Sequence, residues 1–379
     1  MASFSTLPHD LIKEILYKSP AESLVRLRLT CKQLRGLINK DSFIYEYMDR
    51  SPVKFLRIDQ TVQIMDPVTR TRSEIPIPDE FQPLDNIIAM FHCDGLMLCR
   101  CSFLMPSELE KLALWNPLTR KVSWVDEPSQ KPFWTFDYYG IGYVLNEPPL
   151  RDYKILKFSV ERSGEVEVHI YECMSKSWRT LFDDTKVDWK VVPRCNGVAV
   201  KGNLYWLAKK NSRNFILGFD FSDETFKDIC FCHLPYYNNY LSCYEGDKLS
   251  LLEQNRLVLS PIEVWVSSKL ADGNVSFIQY LRVDSPDLPL LRFFTYFSTY
   301  KPHPVYCIDK DKLIIACYEG DQAHEGPILS TSITLCEIDK DSGVISKEIV
   351  TVPPYWNFSA ELFRPYGYIY VPSLVCFPV

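Results

Sequence analysis

The chain has 379 residues, 46% hydrophobic and 24% charged, with 14 Gly, 26 Pro, 13 Cys and a formal net charge of −6. Aromatic and aliphatic residues run throughout, so it can bury enough apolar surface to offset its ordering entropy and is not a disordered polymer. No apolar run reaches the roughly 18 to 20 residues of a membrane span, and the start MASFSTLPHDLIKEIL lacks a basic segment followed by an apolar signal core, so a soluble, unsecreted protein of the cytoplasm and/or nucleus is expected.

Residues 1–50 hold eight Lys/Arg and six Asp/Glu, a charge of +2 that leaves −8 for the remainder. All eight Trp and 24 of the 26 Pro lie after residue 50, which places a boundary near Arg50-Ser51-Pro52 and divides the chain into 1–50 and 51–379. In the first part Leu11, Ile12, Ile15 and Leu16 recur at helical spacing behind Pro8, a residue that loses no hydrogen bond in a first turn. Ser19-Pro20-Ala21-Glu22 matches a capping box and opens a second short helix carrying Leu24, Val25 and Leu27. Cys31, Leu34, Leu37 and Ile38 give a third apolar face, and Asp41 or Ser42 can cap a fourth helix through Phe43, Tyr45 and Tyr47. A bundle of this size is marginal alone. Its apolar surface is therefore either packed on the larger domain or kept for another protein.

From residue 53 onward, short β-rich runs such as VKFLRI, YKILKF, VEVHIYE, GNLYWLA, IEVWV and KLIIACY alternate with clusters of Asn, Asp, Pro, Gly and Lys. A weak repeat is visible: Met65-Asp66-Pro67-Val68-Thr69-Arg70 returns as Trp115-Asn116-Pro117-Leu118-Thr119-Arg120, with looser echoes in FDFSDETFKDI, IYECMSKSWRTL and CEIDKDSGVISKEI. Cys93-Asp94-Gly95-Leu96 and Cys195-Asn196-Gly197-Val198 form a second parallel and read as turns. Units of this length predict an irregular β-propeller, with blades at 86–128, 133–181, 195–235, 241–283 and 293–353 and a closing blade shared by 53–78 and 355–377. Six blades are expected and seven is the alternative count; a pair of β-sandwiches is the runner-up architecture. Gly is scarce, and neither the Gly-Gly nor the Trp-Asp signature of the large propeller classes is present.

Enzyme motifs fail in turn. There is no G-x-S-x-G, H-E-x-x-H, phosphate loop or G-x-G-x-x-G. Gly140-Ile-Gly142 is a fragment with the character of a strand or turn. Cys230-Phe-Cys232-His233 could offer soft metal ligands, but strand alternation would put His233 opposite the two cysteines, so core cysteines are expected. Asp339-Lys-Asp341-Ser-Gly343 begins like a calcium loop but is short of ligands and reads as a hairpin turn. The acidic β domain disfavours nucleic acid. No enzyme activity, metal, cofactor or membrane partner is expected. Tyr236, Tyr237, Asn238, Asn239 and Tyr240 would suit a recognition loop or, equally, a linker between blades.

The N-terminal pattern Leu7-Pro8-His9-Asp10-Leu11-Ile12-Lys13-Glu14-Ile15-Leu16, then Pro20, Ser23-Leu24-Val25-Arg26-Leu27-Arg28, Cys31-Lys32, Leu37-Ile38 and Phe43, resembles the F-box. The remainder of the chain resembles the plant F-box-associated domain, through the turns at Asp66-Pro67-Val68-Thr69 and Asn116-Pro117-Leu118-Thr119. The resemblance implies a substrate-recognition subunit of an SCF-type cullin-RING ubiquitin ligase. The F-box would dock on a Skp-type adaptor, and through it a cullin, while the β domain holds a protein target not named by the sequence. The alternative is a protein-interaction module acting outside a ligase. Carried over by position, the adaptor-facing residues are Leu7, Pro8, Leu11, Ile15, Leu16, Pro20, Leu24, Leu27 and Cys31. Two positions depart from the family pattern: Leu34 stands where Trp is usual, and Ser19 where Leu is usual.

Overall fold

The computed structural model describes residues 7–58, 61–81, 87–101, 111–127, 136–146, 150–161, 163–192, 195–232, 239–254, 261–289, 291, 304–320, 331–351 and 368–375. Tyr236, Tyr237, Asn238 and His233 lie outside the described residues, as does the side chain of Cys232.

Four helices come first: α1 (His9–Tyr17), α2 (Ala21–Leu27), α3 (Lys32–Ile38) and α4 (Asp41–Arg50). Six antiparallel sheets come after them, arranged as blades. Blade 1 is made of β1 (Lys54–Ile58), β2 (Val62–Met65), β3 (Arg72–Ile75) and the last strand, β25 (Tyr368–Tyr370). Blade 2 holds β4 (Ile87–Cys93), β5 (Leu96–Cys101), β6 (Lys111–Asn116) and β7 (Lys121–Val125). Blade 3 holds β8 (Phe136–Asn146), β9 (Leu150–Val160), β10 (Glu165–Glu172) and β11 (Ser177–Lys186). Blade 4 has β12 (Trp189–Val191), β13 (Val198–Val200), β14 (Asn203–Lys210), β15 (Arg213–Asp220) and β16 (Thr225–Cys232), with β12 and β13 both pairing β14. Blade 5 has β17 (Asn239–Tyr244), β18 (Lys248–Gln254), β19 (Ile262–Ser267) and β20 (Phe277–Val283). Blade 6 has β21 (Val305–Asp309), β22 (Lys312–Gly320), β23 (Thr331–Asp339) and β24 (Ile345–Thr351).

The ring is a six-bladed propeller, closed as the sequence predicts: β25 pairs with β1 through Lys54↔Tyr370, Phe55↔Ile369 and Leu56↔Tyr368. The two ends of the domain thus share one blade. Composition tracks position in the blade. The second strands, such as LMLCRC of β5, are apolar almost continuously, because adjacent blades cover both of their faces. Outer strands such as FIQYLRV of β20 keep several residues, here Ile278, Gln279 and Arg282, in solvent. Register shifts fall between the third and fourth strands of blades 3 to 6, where the edge twists away.

The repeat seen in the sequence is the hairpin joining the third and fourth strands. Asp66 Oδ1 accepts from the Val68 and Thr69 N–H groups at 2.9 and 2.8 Å, and Asn116 Oδ1 from those of Leu118 and Thr119 at 3.0 and 3.2 Å. Each turn ends on an arginine at positive φ, Arg70 at 62° and Arg120 at 58°. Asp220 and Asp339 cap the same hairpin in blades 4 and 6.

Three local expectations need correction. Asn196-Gly197 is not a hairpin turn; it precedes β13, and the turn corresponding to Asp94-Gly95 is Lys201-Gly202, at φ 49° and 86°. Ser19 does not cap α2, whose N-cap is Pro20; its Oγ instead donates to the Ile15 carbonyl at 2.9 Å. Asp41 is the first residue of α4, behind Lys40 as N-cap, so it meets the helix N-terminus through charge and not as a cap.

Candidate functional site

The paired apolar residues of α1 divide between two sides. Ile12 and Leu16 face the bundle core, while Leu7, Leu11 and Ile15 remain 42%, 53% and 48% exposed. Of the other adaptor-facing candidates, Pro8, Pro20 and Cys31 are exposed, Leu27 is half-buried and Leu24 is fully buried. The structure therefore brings Leu7, Pro8, Leu11 and Ile15 to one exposed segment and uses Leu16 and Leu24 to hold the helices together. Cys31 is the N-cap of α3, its Sγ accepting from the Leu34 N–H at 3.4 Å. Leu34 is buried, so the position where Trp is usual contributes to the core.

Sequence reasoning missed Leu29, which is 76% exposed in the turn between α2 and α3. Its signal was present in Leu27-Arg28-Leu29: two residues past Leu27 it leaves the buried face of the helix.

The exposed stripe rests on a braced helix pair. Tyr17 stacks on Phe43 with ring centroids 4.9 Å apart, and the Arg50 guanidinium lies 4.2 Å over the Tyr17 ring while pairing with Glu14 at 3.1 Å. The Tyr17 hydroxyl donates to Glu46, and burial together with that carboxylate pushes its pKa up to about 12. Tyr47 donates to the Ser19 carbonyl at 2.9 Å, tying α4 to the turn after α1.

The helices are joined to the propeller and not merely tethered. One apolar cluster runs from Ile44 and Met48 of α4 into Leu96, Leu98, Tyr143, Tyr153 and Leu374. At its edge the Arg151 guanidinium lies 4.1 Å over the Tyr45 ring and 4.6 Å from the Tyr143 ring, and the Arg151 N–H donates to the Tyr45 hydroxyl at 3.2 Å. Asp94 anchors it, at 2.5 Å from Arg151 Nη1, and also accepts from the Tyr153 hydroxyl at 2.9 Å. Asp94 sits in a turn at φ 53°, ahead of Gly95 at 77°, where an added Cβ would strike Ser373. His92 Nε2 accepts from the Gly95 and Val371 N–H groups at 2.9 and 3.3 Å, and burial lowers the pKa of the ring to about 4.

The propeller's other sequence candidates have structural roles. Gly140 and Gly142 lie in β8, where a Cβ on Gly142 would fall 2.1 Å from the Gly202 carbonyl; they permit blades 3 and 4 to approach. Asp339-Lys-Asp341-Ser-Gly343 is the β23–β24 hairpin. Tyr240 donates to the Leu291 carbonyl at 3.1 Å, and its own carbonyl accepts from Tyr306 at 3.0 Å, which places it in the packing of blade 5. Among the described residues no group of three or more His, Cys, Asp or Glu could hold a metal ion, and no helix is long and apolar enough to cross a membrane.

A small helical module with an exposed apolar stripe, fixed to a propeller, defines a protein-interaction architecture of the adaptor type. Residues 4–46 match the F-box domain and residues 46–377 the F-box associated beta propeller domain, and the chain belongs to the family of F-box proteins that carry this propeller. Relatives in Arabidopsis thaliana include an F-box only protein 15, 43% identical over 99% of this chain and 98% of that one. A second F-box protein there is 45% identical over 98% of this chain and 96% of its own, and the F-box/WD-40 repeat-containing protein 1 is 36% identical over 99% and 90%. Among solved structures, TolB from Acinetobacter baumannii is distantly similar, at a TM-score of 0.43 and 11% identity, covering 85% of this chain and 70% of that one.

Proposed function

We propose that this protein is the substrate-recognition subunit of an SCF-type cullin-RING ubiquitin ligase. The F-box docks on a Skp-type adaptor, and through it a cullin, while the propeller holds a protein target. The observation that carries the reading is the exposure of Leu11 and Ile15 on a helix whose inward residues, Ile12 and Leu16, are buried, with Leu7 exposed just ahead of it. Large apolar side chains left in water along one helix face are what a partner protein covers. Pro8 adjoins that stripe in the chain, Pro20 and Cys31 are exposed on the same helical module, and Leu16 and Leu24 are buried in its core with Leu27 half-buried.

The propeller contributes position and not acid/base chemistry. In each four-stranded meander the first–second and third–fourth turns leave from one face and the remaining connections from the other. At blades 2 and 3 the first face meets the F-box through Asp94 and Arg151. The opposite face is left for the target, and holding the target near a charged ubiquitin carrier raises the effective concentration of the reacting groups.

Co-purification of the full chain from cells with a Skp-type adaptor and a cullin tests the reading. Recovery of both is expected, with loss of both when residues 1–50 are deleted. Unchanged recovery after the deletion would overturn the docking assignment, and recovery of the adaptor without any cullin would favour an interaction module outside a ligase.

A further inference from the structure

We propose that Arg151 is a positioning residue that sets the angle at which the propeller carries the F-box. The inference rests on the adaptor reading above for its functional meaning and on the geometry of the joint for its substance.

The apolar cluster linking α4 to blades 2 and 3 holds the two parts together, but apolar contact is non-directional and by itself permits sliding. Arg151 supplies direction. Its planar guanidinium lies over the Tyr45 ring on the F-box side and over the Tyr143 ring on the propeller side, while its main-chain N–H reaches the Tyr45 hydroxyl. A planar cation set over two ring faces has few equivalent orientations. The side chain is only 9% exposed, and its charge is met by Asp94 at 2.5 Å.

Asp94 is itself held from behind. The Gly95 N–H is taken by His92 Nε2, which also takes the Val371 N–H beyond β25. The guanidinium is therefore fixed to a turn that is fixed to the closing blade, and α4 is fixed to the guanidinium. Tyr45 also packs against the apolar cluster, which keeps the two parts in contact, so removing one of the directional contacts loosens the angle without uncovering the adaptor-facing stripe on α1.

The test measures the distance distribution between fluorophores placed by unnatural amino acids at Gln33, exposed on α3, and Lys190, exposed on β12, in the full chain without any partner. The wild-type chain is expected to give one narrow distribution. Arg151→Ala is expected to at least double its width, and Arg151→Lys, which keeps the charge but not the plane, to give an intermediate width. Tyr45→Leu keeps apolar packing while removing the ring and hydroxyl, and is expected to broaden the distribution as Arg151→Ala does; it provides the reading if Arg151→Ala fails to fold. Widths equal to wild type in whichever of these variants fold would overturn the proposal. Adaptor recovery, measured separately, should stay within twofold of wild type in each. Failure of the wild-type chain to bind an adaptor would overturn the ligase reading and leave the distance result standing.

Discussion

The side-chain amide of Asn116 donates to the main-chain carbonyl of Ser373 at 3.0 Å, and through the same Nδ2 to Val375 at 2.9 Å, while its Oδ1 caps the turn at Leu118 and Thr119. One fully buried side chain thus shapes the hairpin of blade 2 and binds the segment after β25 that closes the ring. Its counterpart in the repeat, Asp66, shapes the same kind of hairpin but has only acceptors and pairs with Lys54 at 2.5 Å.

The two residues should therefore respond differently to exchange. Asn116→Asp keeps the turn acceptor but turns a carboxylate toward two carbonyls in a dry site, and should cost about 3 kcal/mol or more. Asp66→Asn keeps the turn and loses a charge-assisted pair whose carboxylate is buried but whose ammonium still reaches solvent, at about 1.5 kcal/mol. Urea titration of each variant checks the order, which equal losses would contradict.

The residue at positive φ that ends this hairpin also reaches back to the preceding blade, with either sign of charge. Arg70 pairs with Glu337 of blade 6 at 2.7 Å; Glu224, at φ 54°, meets Lys154 of blade 3 at 3.1 Å and Arg179 beside it. Arg70→Ala and Glu224→Ala should each cost about 0.5–1.5 kcal/mol, since the groups are partly screened. The two seams share no partner, so the double variant should be additive within about 0.5 kcal/mol by denaturant titration. Glu224→Lys should cost more than Glu224→Ala, because it places three cations together.

Glu253 in β18 faces Glu263 across the β18–β19 pairing, with Arg282 and Gln279 beyond it. Burial and the Glu263 charge raise its pKa to about 7. Between the ordinary carboxylate range and about pH 7 the folded chain then holds a proton that the unfolded chain has released, so this group's contribution to stability falls as pH rises through that window. Glu253→Gln should remove the effect. Melting temperatures of both proteins at about pH 5, near the lower end of that window, and about pH 8, above it, should show the variant gaining on wild type at the higher pH; a constant difference would contradict the assignment.

Gly142→Ala would bring a Cβ to 2.1 Å from a main-chain carbonyl that cannot rotate away. Overpacking of this kind costs about 1–3 kcal/mol, which should appear as a lower melting temperature, with the fold retained by far-ultraviolet circular dichroism. A variant as stable as wild type would contradict the close approach of blades 3 and 4.

The parts of the structure legible in the sequence are those with local causes. Asp66-Pro67-Val68-Thr69 and Asn116-Pro117-Leu118-Thr119 carry their own turn chemistry, so the repeat exposed the blade period and the shared closing blade. Asn196-Gly197 has the same local signature without the fold, because a dipeptide cannot show which strands will pair around it. Lys201-Gly202 was hidden, since Lys gives little warning of positive φ. Residues 11, 12, 15 and 16 marked α1 as apolar, but adjacent pairs at that spacing lie on two neighbouring stripes, and only the packing of the other helices decides which is covered. The joint at Tyr45 and Arg151 spans 106 residues and depends on a guanidinium, a ring and a carboxylate meeting in space. Nothing local marks it.

The central claim is that Leu11 and Ile15 are contact residues for a Skp-type adaptor. Its most direct measurement is the dissociation constant of the purified full chain for that adaptor, in wild type and in Leu11→Asp and Ile15→Asp variants whose melting temperatures show the fold intact. Burying a carboxylate in an apolar interface, on top of the lost apolar contact, should cost about 2–4 kcal/mol, a weakening of about 30-fold or more. Affinities within twofold of wild type in both variants would contradict it.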